Sequence, residues 1–218
     1  MSMTPRSILC FGDSNTHGTM AMRTETDRRR HPGPDRWPRV MGAALGAGWE
    51  VISEGHPGRT AVRDDPVEGA HRNGMRVLMA VLESHRPLDI VIVMLGTNDL
   101  KARFGVPAHD IALGVQRVVG EIQRSDCGPG GRSPDVILAA PVIVQEVGVF
   151  VDTFAGAAAK SAALPELLRG VATRNGTGFV DLNAVAVTDS VDGIHLDAQA
   201  HAAIGAAMAQ AVHLRQTT

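Results

Sequence analysis

Tyrosine is absent from the chain and aromatic residues make up only 3% of it, so a core must be assembled from Val, Leu, Ile, Ala and Met. A stacking platform for nucleic-acid bases is poorly supplied. Charge of one sign is lacking too. The 21 Lys and Arg against 23 Asp and Glu give a net charge of -2, which leaves no basic footprint for a phosphate backbone. Nucleic acid is therefore not expected as a partner. The one basic run, Arg28-Arg29-Arg30, lies between Asp27 and His31 and reads as solvated loop.

Cysteine is scarce: Cys10 and Cys127 are too few for a disulfide framework and are not spaced as metal ligands. Cys10 sits in an apolar run and is expected to act as a small buried hydrophobe. No apolar stretch approaches the ~20 residues of a membrane-spanning helix, and the N-terminus lacks the apolar segment of a signal peptide. A cytoplasmic protein without membrane contact is the expectation.

What is present suits one substantial core. Across 218 residues, 44% are hydrophobic and 20% charged, so residues 1–218 are expected to form a single domain. Short apolar runs alternate with helical periodicity. Ile8 to Phe11, Val51-Ile52, Asp89 to Leu95, Val136 to Leu138 and Phe179-Val180 read as about five strands. The nearly unbroken run after Asp89 suggests a strand covered on both faces. Helices are predicted over Trp37 to Leu45 with Asp35 as cap, around Met75 to Leu82 and ending before Pro87, and around Ile111 to Ile122 with Asp110 as cap. A further helix near Ala155 to Val171 should break or restart at Pro165, and a last one should cover Ala198 to Leu214. This alternation predicts a three-layer α/β/α sandwich on a central parallel sheet. The polar segment Gly18 to Pro38 reads as a long loop that could wall a site.

Three polar turns follow predicted strands, where a parallel sheet forms its crevice. The first is Gly12-Asp13-Ser14-Asn15. Ser14 could merely cap a helix, but a serine there can attack a carbonyl if a base removes its proton. Asp192-Gly193-Ile194-His195 supplies that base in His195, with Asp192 to orient the imidazole. Two groups at this spacing do not make a metal site, so no metal or cofactor is expected. Asn98, in Gly96-Thr97-Asn98-Asp99, could offer an amide to an oxyanion. Gly58 and Ser14 could each offer a main-chain N–H.

With those motifs in order, the chain resembles the SGNH hydrolases, or GDSL-type esterases. Gly12-Asp13-Ser14-Asn15 matches the nucleophile block, Gly58 the glycine block, Gly96 to Asp99 the asparagine block and Asp192 to His195 the catalytic block. The resemblance implies an SGNH, flavodoxin-like fold over nearly the whole chain. It implies Ser14, Asp192 and His195 as catalytic set, with an oxyanion hole of Ser14, Gly58 and Asn98, and with Asp13 supporting the nucleophile loop. It is nearer to the bacterial arylesterase and acyltransferase branch, through segments such as Ile92 to Lys101 and Val191 to Asp197. That branch implies hydrolysis of short aryl or alkyl esters, with water, alcohol or peroxide as acyl acceptor, and homo-oligomers. Two departures stand out. Asn15 and His17 occupy positions where the branch often has Leu and Trp, which makes both candidates for a more polar pocket. Val142-Ile143-Val144 replaces its proline run. Two other readings stay open: an acetylesterase for sugars or other polar metabolites, and a metabolite-binding α/β protein without catalysis.

Overall fold

The computed structural model describes residues 5–216. Five strands, β1 (Arg6–Gly12), β2 (Trp49–Gly55), β3 (Ile90–Met94), β4 (Asp135–Ala140) and β5 (Gly178–Asp181), form one sheet in the order β2-β1-β3-β4-β5. Every pairing is parallel, with Ile8 opposite both Val51 and Ile90. The expected three-layer architecture follows from how alternate side chains leave each strand. Leu9, Phe11, Val91, Val93 and Leu138 point to one face, where they pack with α3 (Gly74–His85), α4 (Ala108–Arg124) and α5 (Ala157–Asn175). Ile8, Cys10, Ile90, Ile92 and Ile137 point to the other, against Trp37 and Met41 of α2 (Trp37–Leu45) and Ile204, Met208 and Val212 of α6 (Ala198–Gln216). Burial of a Leu or Ile contributes about 1.5–3 kcal/mol.

Some local expectations are corrected. Asp35 does not cap α2; it lies in a 3₁₀ turn, Gly33–Asp35, and Arg36 takes the cap position without a side-chain bond. Asp110 lies inside the first turn of α4, whose cap position is Pro107. There its carboxylate faces the positive end of the helix dipole instead. Nor does Pro165 break α5. Its ring costs the bond to the Ser161 carbonyl, yet the helix continues because Leu164 and Leu168, one turn apart, both stay buried.

The strand order reverses between β1 and β3, which opens a crevice at their carboxyl ends. The chain leaves β1 into a one-turn helix, α1 (Ser14–His17), pressed against the end of β2. A side chain at Gly55 would reach within 2.1 Å of the His17 nitrogen. Only glycine lets α1 sit that close.

Candidate active site

Asp13 caps α1: its Oδ1 accepts the Asn15 N–H at 2.9 Å. Ser14 is thus the first helical residue rather than the cap, and its N–H has no carbonyl one turn earlier within the helix. The other Asp13 oxygen, Oδ2, accepts from Asn98 Nδ2 at 3.3 Å. Asn98 opens the 3₁₀ turn Asn98–Leu100 just beyond β3. Burial pushes the Asp13 carboxyl up to about 6, against the pull of the Asn15 N–H, His195 and Arg59.

His195 and Asp192 lie in the loop between β5 and α6. His195 Nδ1 meets Asp192 Oδ2 at 2.6 Å. Asp192 Oδ1 accepts the N–H groups of Ile194 and His195, each at 3.0 Å, and Oδ2 also accepts the Met22 N–H at 2.7 Å. Burial opposes its ionisation, but the imidazole and these N–H groups outweigh it and hold Asp192 below the usual carboxylate range. An ionised Asp192 fixes the proton of His195 on Nδ1 and leaves Nε2 as the accepting nitrogen.

Ser14, His17, Gly58, Asn98 and His195 all line one cavity of about 500 Å³. Asp192 lies behind His195 and is fully buried. Asn15 is not at the cavity wall; its amide donates to the Ile194 carbonyl at 3.1 Å, tying the serine turn to the histidine loop. His17 is at the wall, its Nδ1 3.0 Å from Thr19 Oγ1. Burial, reinforced by Arg30 and Arg36, pulls the imidazole down to about 4, so this wall is polar but uncharged near neutrality.

The long loop after α1 does reach the site: Thr19, Met22, Arg28 and Arg29 line the cavity. The basic run is therefore only partly a solvated face, with Arg29 held by Asp27 at 2.6 Å. Several residues escaped the sequence reading. Phe150 and Phe154 supply an apolar wall, the Phe150 ring lying 6.1 Å from that of His195. Arg59 is buried beneath the site, donating to the Gly12 carbonyl at 2.8 Å and to the Glu54 carbonyl while stacking over Phe11. Glu68, Arg72, Lys101 and Arg103 form a charged wall. Two spacings could have signalled some of these from sequence: the apolar pair Phe150 and Phe154 and the charged pair Glu68 and Arg72, each four residues apart. Among the described residues, no group of three or more His, Cys, Asp or Glu side chains is arranged to hold a metal.

Residues 10–203 match the model of the GDSL-like lipase/acylhydrolase family. The chain belongs to that family. It is a carboxylic ester hydrolase of the GDSL, or SGNH, type. Among solved structures, Est24, a carbohydrate acetylesterase from Sinorhizobium meliloti, is 37% identical with a TM-score of 0.91, over 96% of this chain and 99% of that one. The aryl esterase of M. smegmatis is 36% identical with a TM-score of 0.91, over the same shares. A G-D-S-L family lipolytic protein from Veillonella parvula, 13% identical with a TM-score of 0.66 over 94% of this chain and 97% of that one, shares the fold. No curated protein sequence matches the chain significantly. No helix among the described residues is long and apolar enough to cross a membrane.

Proposed function

We propose that this GDSL esterase hydrolyses short-chain aryl or alkyl esters through an acyl intermediate on Ser14. The observation that carries the reading is the 2.6 Å contact of His195 with Asp192, beside a cavity that Ser14 and His195 both line. Ser14 Oγ attacks the ester carbonyl carbon while its proton passes to His195 Nε2. Asp192 stabilises the imidazolium but does not take the proton. Negative charge gathers on the carbonyl oxygen, where the N–H groups of Ser14 and Gly58 and the Asn98 amide receive it. The carbon–oxygen bond to the leaving alcohol then breaks, and the alcohol takes the proton from His195. Water, activated by the same imidazole, releases the acid. Alcohol or peroxide can replace water as acceptor, giving an ester or a peracid. Asp13 supports the loop through its bonds to Asn15 and Asn98. The enzyme acts as a single domain, in a homo-oligomer, in the cytoplasm.

Esters of sugars or other polar metabolites form a second reading, favoured by the charged wall of Glu68, Arg72, Lys101 and Arg103. Initial rates on phenyl acetate for the wild type and Ser14→Ala, then on longer acyl chains, test the assignment. Turnover should drop by roughly 10⁶-fold in the variant and, in the wild type, fall with chain length. Unchanged turnover in Ser14→Ala would remove Ser14 from the chemistry. A strong preference for acetylated sugars over phenyl acetate would select the second reading.

A further inference from the structure

Lys101 ends the turn that begins at Asn98, its N–H reaching the Asn98 carbonyl at 3.4 Å. Its side chain is only 3% exposed, and its ammonium lies 3.2 Å from Asp65 Oδ2, itself fully buried, and in contact with Glu68 Oε1. The other Glu68 oxygen lies 3.3 Å from Arg72 Nε. Arg72 Nη1 in turn donates to the Pro57 carbonyl. A continuous chain of charge contacts thus runs from the Asn98 turn to the peptide that joins Pro57 to Gly58.

That peptide has special weight. In a trans peptide unit the carbonyl and the N–H point in opposite directions, so holding the Pro57 oxygen also fixes the direction of the Gly58 N–H. Gly58 has φ of 76°, and a side chain there would come within 2.7 Å of Glu68 Oε2. Glycine gives the freedom to adopt this backbone, and with it the freedom to turn the peptide over. Burying Lys101 with Asp65 is costly unless every charge is met. Asp65 meets the cost with the N–H groups of Val67 and Glu68 and with Arg103 at 3.0 Å. A second link, from Asp99 Oδ2 to the Ala61 N–H at 2.9 Å, joins the same two loops away from the cavity and leaves the Pro57–Gly58 peptide untouched.

We propose that Lys101 is a positioning residue for ester hydrolysis: acting through Glu68 and Arg72, it locks the Pro57–Gly58 peptide relative to Asn98 and so sets two donors of the oxyanion hole. The inference rests on the serine-esterase reading above. It assigns Lys101, Glu68 and Arg72 a part in transition-state stabilisation without contact with the reacting atoms.

The test compares wild type with Lys101→Met, Lys101→Arg, Glu68→Gln, Arg72→Met and the Lys101→Met/Arg72→Met double variant. For each, kcat and KM on phenyl acetate are set beside the inhibition constant of phenylboronic acid. The boronate forms a tetrahedral adduct on serine and reports on the oxyanion hole as a transition-state analogue. The expected result is a loss of roughly 10- to 100-fold in kcat for Lys101→Met, with KM within threefold. Boronate affinity should weaken by a similar factor. Lys101→Arg should recover part of both, and the double variant should lose no more than its worse single parent. The Glu68 side chain is 31% exposed against 3% for Lys101, so Glu68→Gln carries the same comparison if Lys101→Met fails to fold. A lowered melting temperature with unchanged kcat and boronate affinity in the folded variants would overturn the inference while leaving Ser14 chemistry intact. Wild-type turnover that survives Ser14→Ala would overturn both.

Discussion

The side-chain amide of Asn15 donates to the main-chain carbonyl of Ile194 at 3.1 Å, joining the residue after the proposed nucleophile to the residue before the proposed base. Both groups are buried, so the bond is shielded from water and neither partner has a substitute at hand. It is a clasp between the two halves of the site. Asn15→Leu removes the donor and leaves the Ile194 carbonyl unsatisfied, a cost of about 1–3 kcal/mol. In a chain of this size that should lower the melting temperature by roughly 2–4 °C per kcal/mol. Scanning calorimetry with parallel rates checks it; unchanged melting and unchanged kcat would show that the clasp does not matter.

Asp192→Asn should leave the fold intact and lower kcat by roughly 10⁴-fold. The amide can present an NH₂ to His195 Nδ1 and so favours the tautomer with its proton on Nε2, the wrong one for accepting from serine. Steady-state rates on phenyl acetate decide, and a loss under tenfold would dismiss Asp192 as the orienting acid.

Asn98→Ala should lower kcat by roughly 10²–10³-fold with little change in KM, since its amide is assigned to charge that appears only in the transition state. The substitution also strips Asp13 Oδ2 of its donor at 3.3 Å. A rise in KM with kcat preserved would instead make Asn98 a ground-state binding group.

Two buried titratable groups should bend the stability profile in opposite directions. Burial, with help from His31, holds His201 down at about 3, against 6.5 when unfolded. Its depressed value favours the neutral ring, so that contribution is whole above about pH 6.5 and is lost as pH falls towards 3. Burial pushes Asp99 up to about 7 from 3.8, despite the Ala61 N–H and Arg63. Its contribution is whole below 3.8 and is lost as pH rises through 7. Relative to His201→Gln, the wild type should therefore lose melting temperature from pH 6.5 to 4. Relative to Asp99→Asn, it should lose it from pH 4 to 7. Parallel curves in either comparison would contradict the assignment for that residue.

The layered fold was legible because its signals are local and redundant. Ile8 to Phe11 and Ile90 to Met94 are apolar runs with a turn motif at the end, and α4 carries a clean stripe from Ile111 to Ile122. The capping errors at Asp35 and Asp110 arose because either residue has the right chemistry one to three positions from where the chain turns. Pro165 misled because propensity says nothing of the burial of Leu164 and Leu168. At the site, Ser14, Gly58, Asn98 and His195 were visible as motifs, and they share one cavity. The Met22 N–H that holds Asp192 was not, since any residue carries that donor and it comes from 170 positions away. In the Glu68–Arg72–Lys101 chain only the spacing of Glu68 and Arg72, four residues apart, marks a pair; Lys101 lies 33 positions from Glu68, and nothing in the sequence says that those two will meet.

The separation spanned by the clasp has a consequence for how the enzyme comes into being. Asn15 and Ile194 are 179 positions apart. At ~5–20 residues per second, a ribosome that has just made the serine turn works on for roughly 10–35 s before the histidine loop exists. Throughout that interval the nascent chain holds Ser14 on a growing sheet without its proposed base. On the proposed assignment, the base comes late in synthesis, once the loop before α6 has emerged and docked, so a chain stalled or cut before that loop lacks His195 and should show no ester turnover.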